Sequence, residues 1–170
     1  MRSIKNNRQK RFRSRGISFG LFSLTLLSCA LAQGPAYAIS ILAILLLHEF
    51  GHYFAARFWR VRASLPIFLP APTLFGTFGA VIKMEGAIPN RRALFDIGFA
   101  GPAAGVIAAL PITIVGIALS EVVAVPETAA HLKLGESVLF KLLITLIPGT
   151  IAEGHDLLLP PIALAGSAGL

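Results

Sequence analysis

Hydrophobic residues in this chain gather into long runs, separated by short polar or proline- and glycine-rich breaks. Residues 16–32 (GISFGLFSLTLLSCALA) are uncharged and just long enough to cross a bilayer, and Gln33-Gly34-Pro35 ends the run. Residues 36–59 form a second run; at about 1.5 Å per residue it reaches about 36 Å, more than the hydrocarbon core needs. A third run spans residues 93–119, with Asp96 its only charge. Pro102 and Pro111 are expected to kink it. Between the second and third runs the pattern changes. SLPIFLPAP is too proline-rich for a continuous helix, and GTFGAVIKMEG, with glycine at turn-like positions, reads as a short strand or hairpin. Residues 137–147 are apolar but short and contain Lys141, which suits an interfacial or re-entrant segment. Residues 157–170 open an apolar segment shorter than the roughly 20 residues of a spanning helix. The predicted fold is an all-α membrane protein of about four to five hydrophobic helical segments, with a short β-hairpin between the second and third.

Composition supports this pattern. Hydrophobic residues make up 55% and charged residues 14%, too apolar for an ordinary soluble domain. The net charge of +7 is concentrated at one end: residues 1–15 (MRSIKNNRQKRFRSR) hold seven Lys/Arg and no acid. Two regions follow, a basic tail at 1–15 and a membrane domain at 16–170. Basic residues beside a first spanning helix place the N-terminus in the cytoplasm. The tail also suits anionic lipid, whereas no basic fold stands behind it to bind nucleic acid. Alternatively, residues 16–32 serve as a signal peptide, with Ala30-Leu31-Ala32 resembling a cleavage site. Arg57, Trp59, Arg60 and Arg62 anchor the end of the second segment on the cytoplasmic boundary, and the weakly acidic stretch 121–136 suits the opposite side. The single cysteine, Cys29, excludes an intrachain disulfide and any cysteine-based zinc site.

The second run carries unexpected polarity. Residues 45–58 read LLLHEFGHYFAARF. Imidazole and carboxylate groups are costly at membrane depth, so a function must compensate for them. On a helix His48 and His52 lie about 40° apart around the axis, and Glu49 lies within about 60° of His52. Two imidazoles suit zinc, and the adjacent carboxylate can take a proton from zinc-bound water, the H-E-x-x-H pattern of zinc metalloproteases. A helix whose polar residues merely pack against partners is the plain alternative. A catalytic zinc takes three protein ligands, and the motif supplies two. Candidates for the third are Asp96, Asp156 and His155, and the glutamates Glu85, Glu121, Glu127, Glu136 and Glu153; no spacing rule selects among them. Asp96 equally suits a helix start, where the dipole favours an acid. Gly101 and Gly105 form a GxxxG pair that lets a neighbouring backbone come close, although a Gly/Ala-rich helix produces such a pair by chance as readily.

Several stretches together resemble the site-2 protease family of intramembrane zinc metalloproteases: the HEFGH helix, GTFGAVIKME at residues 76–85, IPNRRALFDIGFAGPAAG at 88–105, LGESVLF at 134–140 and IALAGSAGL at 162–170. The resemblance covers residues 36–170 and is closest to one bacterial and plastid branch. It implies one zinc ion held by His48 and His52, Glu49 as catalytic base, and cleavage of peptide bonds in or near transmembrane helices of protein substrates. It implies a third ligand, an Asp in an N-x-x-P-x-x-x-x-D-G type motif, expected beyond Leu170. Pro160 and Ser167 depart from the residues frequent in the family. The expected partners are a membrane-protein substrate helix and the bilayer. A substrate helix must unwind before attack, and an edge strand at Gly76, Thr77, Phe78 and Gly79 is suited to hold the extended segment; an ordinary surface hairpin is the alternative. Other readings remain open: a truncated, catalytically inactive membrane protein or scaffold lacking the third ligand; a metal-handling transporter; or another membrane zinc protease with Glu136 or Glu153 as third ligand.

Overall fold

The computed structural model describes residues 2–124, 138–146, 155–158 and 160–169. The elements run α1 (Arg2–Gln33), α2 (Pro35–Phe58), β1 (Arg62–Ala63), β2 (Ile67–Pro70), β3 (Thr77–Val81), β4 (Met84–Glu85), α3 (Arg91–Ala118), β5 (Glu121–Ala124), α4 (Val138–Leu146), β6 (His155–Leu158) and α5 (Pro161–Gly169). Among the described residues three helical stretches are long and apolar enough to cross a membrane: Gly16–Gln33, Pro35–Phe58 and Arg91–Ala118. The architecture is that of a mainly helical membrane protein with a small β-hairpin between its second and third helices.

Local chemistry sets the helix ends. Gly34, at φ 92°, breaks α1 from α2, and Pro35 opens α2 where its missing N–H costs no helical bond. Asn90 caps α3: its Oδ1 accepts from the backbone N–H of Ala93 at 2.8 Å. Pro102 and Pro111 both lie inside the one uninterrupted helix α3. The Pro160-Pro161 pair explains why the last apolar run is helical only from Pro161, the preferred first helical position, while residues 155–158 are extended.

Of the two sequence readings of GTFGAVIKMEG, strand or hairpin, the strand holds, and the hairpin forms with the preceding segment. GTFGAVIKMEG does not fold back on itself. Its strands β3 and β4 pair antiparallel with β2 and β1, so the proline-rich stretch supplies a strand, with Pro70 at its end. The weakly acidic stretch from residue 121 starts as β5, which pairs with β6. Its continuation from residue 125 lies outside the described residues. Helix α4 is nine residues long, too short to span.

Small residues bring α2, α3 and α5 together. A side chain at Gly51 would strike the Ala100 carbonyl; one at Gly116 would strike the Ala163 backbone; one at Gly166 would strike Thr113. Helix α1 instead supports the turn before β3. Ser28 Oγ donates to the Ala71 carbonyl at 2.9 Å, Gln33 Nε2 donates to that of Leu74 at 3.2 Å, and Phe22 meets Phe68 edge-on at 5.0 Å. The main buried cluster (Cys29, Tyr37, Ala38, Ile41, Leu42, Phe68 and Ala165) therefore joins α1, α2, β2 and α5 beside the hairpin.

Candidate metal centre

Helix α2 presents His48, Glu49 and His52 on one side, as their spacing requires, and α3 covers the two histidines. His52 Nδ1 lies 2.7 Å from the Ile97 carbonyl of α3. A carbonyl only accepts, so Nδ1 carries the hydrogen, and Nε2 of the neutral ring is left with its lone pair. That is the arrangement by which backbone carbonyls orient metal-binding histidines. His52 Nε2 points at His48 Nε2, 3.2 Å away, with the rings 4.9 Å apart and inclined by 71°. Two nitrogens at zinc-bonding distance around a tetrahedral ion stand about 3.3 Å apart, given bonds of about 2.0–2.1 Å. The pair thus fits two corners of a zinc site. Glu49 is buried, 6% exposed, and its carboxyl group lies beside the backbone N–H of Ile82, one residue past β3. The motif helix and the hairpin therefore meet at the carboxylate.

Asp96 does not join them. Its Oδ2 accepts from the indole N–H of Trp59 at 3.1 Å, tying the end of α2 to the start of α3. Glu85 sits in β4 opposite Arg62. Among the described residues no group of three His, Cys, Asp or Glu side chains is placed to hold a metal. The side chains of Glu121, His155 and Asp156, and the whole of Glu127, Glu136 and Glu153, lie outside the described residues.

The four hairpin residues expected to meet substrate divide in two. Gly76, at φ 72°, closes the turn before β3 and packs against the Cys29 backbone of α1. Thr77 accepts from the Gly79 N–H at 2.9 Å and donates to the Leu69 carbonyl at 3.0 Å. Phe78 projects outward, 73% exposed. Thr77 and Gly79 line a cavity of about 280 Å³ with Tyr37, Ile41 and Leu45 of α2. Among the described residues β3 pairs with β2 alone, so its second edge is unpaired.

Sequence reasoning singled out Gly101 and Gly105 as a close-packing pair but did not connect them with the histidines. A side chain at Gly101 would fall on the His52 ring, and one at Gly105 would come within 2.9 Å of His48 Nδ1. The available signal was the spacing: the glycines are four apart on one helix, the histidines four apart on the next.

Residues 36–162 match the sequence model of Peptidase family M50. The chain belongs to this family, the site-2 proteases. Among curated proteins it is similar to a probable zinc metalloprotease EGY1, chloroplastic, of Oryza sativa subsp. japonica, 43% identical over 83 residues, covering 49% of this chain and 14% of the relative. It is 39% identical to the Arabidopsis thaliana EGY1 protein over 104 residues, covering 61% of this chain and 18% of that protein. A probable zinc metalloprotease EGY2, chloroplastic, of Oryza sativa subsp. indica is 30% identical over 141 residues, covering 82% of this chain and 26% of the relative. The chain spans about a quarter or less of the length of these relatives. No solved structure matches it.

Proposed function

We propose that this chain carries the metal-and-base centre of a membrane zinc metalloendopeptidase that cleaves peptide bonds in or near transmembrane segments of other proteins. The observation behind the proposal is the convergence of the two Nε2 atoms at 3.2 Å, next to a buried carboxylate, on a helix long and apolar enough to cross a bilayer. His48 and His52 would hold the zinc. A zinc ion held there would supply Lewis-acid polarisation of the scissile carbonyl and would lower the pKa of water towards neutral. Glu49 accepts the proton of the attacking water and returns it to the leaving amine. The unpaired edge of β3 binds the unwound substrate as an added strand, which brings an extended backbone to Glu49. Family membership and the named zinc metalloproteases among the relatives support the same reaction class.

Zinc content and proteolysis, measured together, test this reading. The wild-type chain in detergent binds one zinc and cleaves a membrane-anchored substrate, and Glu49→Gln keeps the zinc while losing cleavage. Full cleavage by Glu49→Gln removes the base assignment. A membrane scaffold that keeps the histidine pair without catalysis is the competing reading, favoured by the absence of a third ligand among the described residues. Wild-type protein with no zinc and no cleavage decides for it.

A further inference from the structure

Helices α2 and α3 meet along two rows of residues, each row stepping four positions. Ile44 clusters with Ala108 and Ala109, and at the other end Ala56 clusters with Ile97. The two steps between bring His48 against Gly105 and His52 against Gly101. The helices thus run antiparallel with their four-residue ridges facing, a common way for helices to pack. At the outer steps one aliphatic side chain meets a small one. At the inner steps an imidazole meets no side chain at all.

We propose that Gly101 and Gly105 are positioning residues for the metal pair: the spaces left by their missing side chains seat the His52 and His48 rings, and α3 thereby fixes where the two Nε2 atoms meet. The inference rests on the metal-binding reading above. Three observations support it. An added Cβ at Gly101 would overlap Nε2, Cε1 and Cδ2 of His52, so the ring cannot keep its place. The Ile97 carbonyl that holds His52 Nδ1 lies one turn away on the same helix, so seat and hydrogen bond act together on one ring. At Gly105 the added atom would come within 2.9 Å of His48 Nδ1, a milder conflict that a small ring shift relieves. The GxxxG pair therefore serves ligand geometry as well as close packing. Disturbing groups that orient metal ligands typically costs 10–100-fold in metal affinity.

The test is zinc titration of the wild-type chain and of G101A, G105A and G116A in detergent, against a competing chelator, with thermal unfolding of each zinc-free protein alongside. G116A is the packing control, because its added Cβ meets the Ala163 backbone of α5 and neither imidazole. The expected order of zinc affinity is wild type and G116A together, G105A weaker, and G101A weaker than wild type by about tenfold or more. G116A unfolds at lower temperature while its zinc affinity holds. Should G101A fail to fold, the loss in G105A relative to G116A carries the result. G101A or G105A binding zinc like wild type overturns the inference, and so does G116A losing as much affinity as G101A. Wild-type protein that binds no zinc overturns the metal-binding reading itself, and the seat assignment with it.

Discussion

Polar residues near the centre have neighbours outside the motif that account for their placement. His52 is held by the Ile97 carbonyl and Asp96 by the Trp59 indole, while Glu49 lies beside the Ile82 N–H. These partners separate the roles of the two acids in the apolar segments. A positioned general base contributes roughly 10²–10⁴-fold to rate, so Glu49→Gln is expected to lower cleavage by that factor with zinc content unchanged. Asp96→Asn keeps zinc at wild-type affinity, because the carboxylate is bonded to Trp59 and does not face the histidines; chelator competition measures it. A large loss of zinc in Asp96→Asn would return this residue to the list of ligands. His48, Glu49 and His52 were legible in the sequence because their chemistry and spacing lie on one helix. Ile97 was not, since its contribution is a backbone carbonyl that any residue supplies.

At the scale of elements, the apolar runs located α2 and α3 to within a few residues, because length and hydropathy are local properties. The hairpin was less legible. Strand pairing is a long-range choice, and the Pro66 to Pro72 stretch hid a strand, Ile67–Pro70, whose one proline stands at its end. The turn at Gly76 shows the constraint most clearly. Its φ of 72° disfavours any L side chain by about 1–2 kcal/mol, and an added Cβ would meet the Cys29 backbone as well. Gly76→Ala is therefore expected to destabilise the fold by at least that amount, read as a lower unfolding midpoint in detergent. Asn90→Ala removes the side-chain cap of α3 and is expected to cost about 1 kcal/mol in the same assay. Neither substitution touches the histidine pair, so zinc affinity of the folded fraction holds.

At the scale of the whole molecule, the three long helices turn large apolar side chains outward, including Phe19, Phe54, Phe58, Phe95, Phe99 and Ile107. Lipid is the surrounding that suits such a surface. The chain is expected to stay in the membrane fraction through alkaline carbonate extraction. Within that setting α2 and α3 enclose the histidines, while α1 supports the hairpin that reaches Glu49. The account depends most on what the two Nε2 atoms hold. Zinc K-edge X-ray absorption of the purified wild-type chain tests this directly. The account predicts a zinc shell containing two imidazole nitrogens at about 2.0–2.1 Å, and loss of that signal when His48 and His52 are both replaced by alanine. A zinc shell without imidazole, or one that survives the double replacement, would contradict it.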